Sequence, residues 1–388
     1  MQTLKLTAPA SKLARKGHPW FYADDIAEGG VGAAGLVRVA TDAGRDLGIA
    51  FASPSSRLRL RLTGLDGPDA PAEFFARALG LALARRAPLL TPKSGVRIVH
   101  GEADGLPGLV VDRYADCLVL QVSSAVVEAH LGCIVPFLAD KLRARMVLAR
   151  NDIAVRRFEQ LPEEVRLLHG ERVEEVEIEE HGLRHHVHPW IGHKTGFYLD
   201  QRLARRRVQE LARGRSVLDL FSYQGAFALA ALHGGATSAL AVDQDEDALA
   251  RARSGAQSNG LSGLETRAEN AFGCARELRR AARRFDLVIV DPPAFAKSRA
   301  ERAGALRGYR DLNHQALRLL AEGGLLLTCS CSHHVPLELF ETLVRQAAAE
   351  LPFKVVLRER ILAGEDHPAW ISLPESEYLK ILLLQRWD

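Results

Sequence analysis

Two thiols and a set of strand-tip carboxylates carry the chemistry in this chain. The segment GGLLLTCSCSHH ends an apolar run with Cys329 and Cys331. They are two residues apart, so on an extended strand both side chains face the same side. Upstream, FDLVIVDPPAF closes an apolar run with Asp291, followed by Pro292 and Pro293. The prolines forbid continuation as helix or ladder, which leaves Asp291 on a rigid shelf at the tip of a buried strand, placed to contact a cofactor as well as a substrate. A thiol near a carboxylate suits covalent catalysis at an electron-poor ring carbon. Thiolate addition to C6 of cytosine makes C5 enamine-like and able to attack an electrophilic methyl group, and loss of the C5 proton then expels the thiol. Asp291 is the candidate acid or hydrogen-bond donor at N3 of such a base. Plainer readings stay open. DPP can be a simple strand stop, and the cysteines can be core residues. A metal pair is a further alternative, but no second thiol pair occurs and His333 and His334 are cramped for zinc.

A second constellation lies in SVLDLFSYQGAFALAALHGG. A strand ends at Asp219, a loop holds Ser222 and Gly225, and a helix follows. The next strand, SALAVD, ends in Asp243, 24 residues after Asp219. An acidic residue at about that spacing (~20 residues) is placed to accept both hydroxyls of a ribose. A glycine after the strand tip lets the backbone approach a ligand. GxGxxG and the P-loop pattern are both absent, which disfavours a pyrophosphate cofactor. S-adenosylmethionine, which has no phosphate, fits better, with Asp219 holding its ammonium through a charge-assisted hydrogen bond. Asn270, in AENAF, is placed to read an adenine amino edge. The competing account makes Asp219, Asp243 and Asn270 helix N-caps.

These residues need strands and helices to bring them together. From Gly214 onward, apolar strands at 216–221, 238–242, 285–290 and 325–329 alternate with helices at 225–233, 245–258, 305–321 and 336–350. That alternation predicts βαβ units and a Rossmann-like, doubly wound parallel sheet, an α/β fold. Two last strands, 354–360 and 378–385, suit an antiparallel pair at its edge. Residues 1–72 read as a small β-rich domain with strands at 36–39, 47–51 and 58–62. In the last of these Arg57, Arg59 and Arg61 share one face, either a half-exposed strand or a basic surface that meets phosphate. Residues 73–187 read as an α+β domain: a helix over 73–90, strands at 96–99 and 109–122, a helix over 126–144, and strands at 146–148, 153–155 and 171–180. The catalytic domain then spans 188–388.

Composition bounds the whole. The 388 residues are 47% apolar and 26% charged, which excludes a disordered, collagen-like or disulfide-scaffold chain. Five cysteines without a CxxC pair suit a reducing cytosol. No apolar signal region or membrane-length run is present, so the expectation is a soluble cytoplasmic protein. The net charge of +3 is uninformative, but its distribution is not. Residues 202–215 carry a net +5 and residues 276–310 a net +6. Both flank the chemical motifs, as a polyanionic partner would require, although solvated arginine-rich helix faces would look the same.

The segments RIVHGEADGLPGLVVDRY (97–114), KTGFYLDQRLAR (194–205), VLDLFSYQGAFALAAL (217–232), VDQDEDAL (242–249), DPPAF (291–295), RGYRDLN (307–313), TCSCS (328–332) and EDHPAWISLPESEYLK (365–380) resemble one family. It is that of the class I S-adenosylmethionine-dependent methyltransferases of large-subunit ribosomal RNA, in its RlmI-like, cytosine-C5 branch. The resemblance implies an N-terminal PUA-like RNA-binding domain, S-adenosylmethionine as cofactor, 23S ribosomal RNA as substrate, and a homodimer as one option. It maps the nucleophile onto Cys331, within S-C-S. It makes TGFYLDQR a lid over the cofactor, with Phe197, Asp200 and Arg202 contributing. Asn270 departs from the family pattern, where aspartate is common. Pro292, Phe295 and Tyr309 become candidates for holding or stacking a target base. Two rival activities remain. One is methylation of a base nitrogen (guanine N7 or an exocyclic amine), which needs no thiol, although Ala294 stands where an aromatic usually follows the prolines. The other is a non-catalytic RNA-binding factor.

Overall fold

The computed structural model describes residues 1–28, 30–295 and 301–388. The chain divides into two units. The first comprises Met1–Glu179, Val187–Leu199 and Glu365–Glu377, and the second comprises Glu180–His186, Asp200–Gly364 and Tyr378–Asp388.

The first unit begins with strands β1 (Thr3–Leu6), β2 (Trp20–Phe21), β3 (Ile26–Glu28), β4 (Gly35–Ala40), β5 (Asp46–Ala52) and β6 (Leu60–Leu62), with helix α1 (Ala8–Arg15) after β1. They form one sheet in the order β2-β6-β5-β4-β1-β3, packed around Leu4, Leu6, Phe21, Val39 and Leu60. The arginine face expected over 57–61 is not there. Strand β6 is short, and Arg61 is buried with its guanidinium 2.9 Å from Glu159.

A second sheet has the order β11-β10-β9-β8-β7, from β7 (Gly95–His100), β8 (Leu109–Tyr114), β9 (Cys117–Val122), β10 (Met146–Arg150) and β11 (Val165–Gly170). Helix α2 (Pro71–Arg86) buries Phe74, Phe75, Ala78, Leu79 and Ala82, a helical-period stripe, in the same core. The helix expected over 126–144 is two, α3 (Ala125–Ala129) and α4 (Leu131–Leu142). The strand expected at 153–155 is instead the entry to a 3-10 turn, Ala154–Glu159, which delivers Glu159 to Arg61. The acidic stretch 171–180 is extended only in β12 (Val176–Glu180), which pairs with β13 (Leu183–Val187).

The second unit follows the expected alternation: α5 (Arg202–Leu211), β14 (Ser216–Leu220), α6 (Ala226–His233), β15 (Ser238–Asp243), α7 (Glu246–Ser258), β16 (Leu264–Ala268), α8 (Ala271–Arg280), β17 (Phe285–Val290), α9 (Arg302–Leu317), β18 (Leu320–Ser330), α10 (Leu337–Ala349), β19 (Lys354–Ile361) and β20 (Lys380–Trp387). Its sheet runs β16-β15-β14-β17-β18-β20-β19. The strands from β16 to β18 are parallel, and β20 and β19 add the antiparallel edge. The inner strands read as unbroken apolar runs because both faces are covered. Helices α5, α6 and α7 pack with Val217, Ala239 and Leu287 on one face, and α8, α9 and α10 with Leu218, Leu240 and Val288 on the other.

Chain order reverses between β14 and β17. From β14 the chain winds outward through β15 and β16, then returns to lay β17 on the other side. The crevice beyond the carboxyl ends of the strands at such a point is where open α/β sheets bind ligands. Asp219 lies within β14 near its tip, and Asp291 directly follows β17.

Candidate cofactor and chemical site

The loop leaving β14 is held in an unusual shape. Phe221, Tyr223 and Gly225 all have positive φ, at 64°, 50° and 68°. Two non-glycine residues in that region store strain, which persists only where the surroundings enforce it. Here the Ser222 N–H donates to Val242 O (3.0 Å) and the Tyr223 N–H to Asp243 Oδ2 (2.8 Å). Gly225 is the N-cap of α6, and a Cβ there would lie 2.9 Å from that of Ala252. Its backbone angle and close helix packing therefore demand glycine on their own, apart from any ligand.

Asp219 is fully buried. Its Oδ2 accepts the Ala228 N–H of α6 (3.1 Å), while Oδ1 has no partner among the described residues. Burial pushes this carboxyl well up, and nearby Asp291 and Asp243 push the same way. Ser222 Oγ and Gln224 Nε2 are also buried without partners among the described residues. A carboxylate, a hydroxyl and an amide left open together call for a polar ligand with a cationic end. Asp243 is no helix cap, since Asp245 caps α7. Its two oxygens take the N–H groups of Tyr223 and Asp245, which orients the carboxylate, and each keeps acceptor capacity. Asn270 does cap: its Oδ1 takes the N–H groups of Phe272 and Gly273. Accepting from an adenine amino group is thus no longer its natural role; its amide N–H is the end left to donate.

On the other side of the reversal, Asp291 is half-buried, and its Oδ2 accepts from Gln201 Nε2 (3.0 Å). Of the two prolines, Pro292 packs inside and Pro293 faces outward, so the substrate contact expected of Pro292 is not open to it. Cys329 is fully buried among Leu327, Ile381 and Leu383, whereas Cys331 lies just past the end of β18, partly exposed at the margin of the same cluster. Burial, reinforced by the charge of Asp291, pushes the Cys329 thiol well up, which leaves it neutral and unreactive.

Tyr309 is not presented to a base. Its ring is fully buried between Phe295 (4.7 Å between centroids) and Phe340 (5.6 Å), and Ser330 Oγ donates to its hydroxyl at 3.0 Å. Phe295 remains partly exposed. Arg202, expected at the lid, is partly buried with its Nε 3.4 Å from Glu180. The +5 of residues 202–215 is likewise reduced by distant partners: Arg205 pairs with Glu180 (2.6 Å), and Arg207 with Glu359. In the second basic cluster Arg310 pairs with Glu350, while Lys297 and Arg299 lie outside the described residues.

Residues 149–384 match the family model of the S-adenosylmethionine-dependent methyltransferases. The chain belongs to that family. Residues 4–63 match a PUA-like domain, the β1–β6 sheet. Curated relatives include a protein named "Ribosomal RNA large subunit methyltransferase I" from Aeromonas salmonicida, 39% identical and covering 95% of each chain. Another of that name, from Shewanella denitrificans, is 37% identical over 99% of each. The fold is similar to that of a putative methyltransferase from Streptococcus mutans (TM-score 0.84, 22% identity, 99% of this chain and 100% of that one). A second such structure, complexed with S-adenosylhomocysteine, has a TM-score of 0.85 at 22% identity over the same shares.

For this S-adenosylmethionine-dependent methyltransferase the open acceptor atoms of Asp219 and Ser222, and the remaining acceptor capacity of Asp243, are of the chemistry that an ammonium and ribose hydroxyls require. Asp200, expected beside the cofactor, accepts from Tyr378 Oη (2.6 Å). Phe197 belongs to the first unit, where its N–H donates to Tyr114 Oη (3.3 Å). Sequence reasoning missed Gln201 and the buried Lys380, whose ammonium donates to Ser332 O (2.8 Å) and Tyr378 O (2.6 Å). Neither residue type at these positions signals a partner so far away in sequence.

Proposed function

We propose that this methyltransferase acts on large-subunit (23S) ribosomal RNA and forms 5-methylcytidine, with Cys331 as nucleophile. The observation that carries the chemistry is the placement of a partly exposed thiol just past the tip of β18 and a carboxylate just past the tip of the adjacent parallel strand β17. The relatives named above support the RNA. When bound, S-adenosylmethionine supplies an electrophilic methyl group. Asp219 would hold its ammonium, Asp243 its ribose hydroxyls, and the Asn270 amide N–H an adenine ring nitrogen. Cys331 Sγ, as thiolate, adds to C6 of the cytosine while the protonated Asp291 carboxyl donates to N3 and stabilises the negative charge that builds there; C5 then takes the methyl group from the sulfonium, which leaves as a neutral thioether. Loss of the C5 proton to a general base then breaks the carbon–sulfur bond. Phe295 offers an aromatic edge for the extruded base. The reading extends to three parts, residues 1–72, 73–187 and 188–388, to a cytoplasmic setting, and to a homodimer that sedimentation would detect.

RNA carrying 5-fluorocytidine tests the nucleophile. Fluorine at C5 cannot leave as a proton, so the thiol stays attached after methyl transfer. Wild type should give a denaturant-stable protein–RNA adduct that Cys331→Ala does not form. An adduct that persists in Cys331→Ala and disappears in Cys329→Ala would move the nucleophile to Cys329.

A further inference from the structure

The residue that precedes α5 occupies a position its side chain does not serve locally. Gln201 is the N-cap of α5, yet its side chain makes no cap bond. It is 3% exposed and reaches across 90 residues of sequence, where Nε2 donates to Asp291 Oδ2 at 3.0 Å. Its Oε1 has no hydrogen-bond partner among the described residues. The preceding residue, Asp200, is itself pinned, because Tyr378 Oη at the approach to β20 donates to it at 2.6 Å. A buried amide that forgoes its own helix and leaves one atom unsatisfied is retained for what its other atom does.

We propose that Gln201 is a positioning residue for methyl transfer: its amide N–H fixes the rotation of the Asp291 carboxylate so that Asp291 meets the ring nitrogen of the target base. This rests on the role given to Asp291 above. DPP holds the backbone of Asp291, but its side-chain torsions are not set by the prolines. A carboxylate free to turn presents its oxygens in many directions, and one oxygen clamped by a rigid amide presents the other in few. Acidic groups near this clamp push the same way: Asp291 and Asp243 both raise the Asp219 carboxyl, Asp291 raises the Cys329 thiol, and Asp200 adjoins Gln201 in sequence.

The sharpest test replaces the amide by its isosteric acid. In Gln201→Glu the new carboxyl can donate to Asp291 only when the pair holds a proton, so function should return as pH falls. Methyl transfer from labelled S-adenosylmethionine to under-methylated large-subunit RNA would be followed from pH 6 to 9 for wild type, Gln201→Glu and Gln201→Ala, with cofactor Kd measured in parallel. At pH 8 both variants should lose about 100-fold in kcat with cofactor Kd unchanged, and Gln201→Glu should regain at least about 10-fold relative to wild type on going to pH 6. Gln201→Ala should stay low throughout. A Gln201→Glu profile parallel to wild type, or a folded Gln201→Ala with full kcat, overturns the proposal; if Gln201→Ala does not fold, the Gln201→Glu profile decides. Asp291→Asn run beside them separates the two readings. Full activity there refutes the role of Asp291 itself, whereas an inactive Asp291→Asn with a wild-type-like Gln201→Glu refutes only the clamp.

Discussion

At the scale of single residues, the site is defined by groups that the folded protein leaves energetically incomplete. Asp219 is the clearest: a fully buried carboxylate with one partner on one oxygen and acidic neighbours. Removing its charge should help the empty protein and harm the loaded one. Asp219→Asn should therefore raise the melting temperature without cofactor and weaken S-adenosylmethionine about 10–100-fold, the loss of a charge-assisted hydrogen bond. Calorimetric titration alongside thermal melts checks both halves, and a variant with unchanged affinity would remove Asp219 from the cofactor site. At Cys331 the expectation is sharper still: Cys331→Ala should lose at least about 10³-fold in methyl transfer while binding cofactor normally. Much of this was legible in the sequence, because a carboxylate or thiol that ends an apolar run has few ordinary reasons to be there. The burial of Tyr309 and the Glu180 contact of Arg202 were not legible, because exposure is not written in residue type. The same tyrosine that could stack on a base here fills the space between Phe295 and Phe340.

At the scale of elements, strands and helices were legible where both faces are covered, since β14, β15, β17 and β18 are apolar runs bounded by glycine, aspartate or proline. Strand β11 was not, because most of its residues are exposed and carry no alternation. Long-range ion pairs were invisible for a different reason: Arg61 and Glu159 are 98 residues apart. The β14–α6 turn depends on Gly225, and Gly225→Ala should cost about 1–3 kcal/mol through its positive φ and its approach to Ala252, measurable by denaturant unfolding. The end of β12 is tied to α5 by Glu180 and Arg205. Burial disfavours ionised Glu180, yet Arg205 outweighs it and holds the carboxyl down to about 2. Beside it, burial lowers His185 to about 4. Both groups have folded values below their unfolded ones, so both lend stability that is complete above the unfolded value and lost as pH falls toward the folded one. For His185 that window is pH 6.5 down to about 4, and for Glu180 it is pH 4.5 down to about 2. Melting temperature should thus be flat above about pH 7 and begin to fall below pH 6.5, and His185→Gln should flatten the upper part of that decline. A curve unchanged by the substitution would assign the loss to other groups.

At the scale of the whole molecule, a near-neutral chain with arginine-rich segments at 202–215 and 276–310 combines a PUA-like sheet with a methyltransferase sheet whose strand tips carry a thiol and carboxylates. Part of that positive charge is neutralised internally by Glu180, Glu359 and Glu350, which no charge count along a window could reveal. RNA affinity should accordingly fall with salt, but with a shallower slope than the clusters alone suggest, and a titration between 50 and 200 mM salt reads it directly. The central claim is that a class I fold here performs thiol-dependent methylation of cytosine in ribosomal RNA. It is tested most directly by incubating labelled S-adenosylmethionine and under-methylated large-subunit RNA with wild type and with Cys331→Ala, then digesting the RNA and identifying the labelled nucleoside. 5-Methylcytidine is expected with wild type and none with the variant. A label on any other nucleoside, or a variant that still produces 5-methylcytidine, would contradict it.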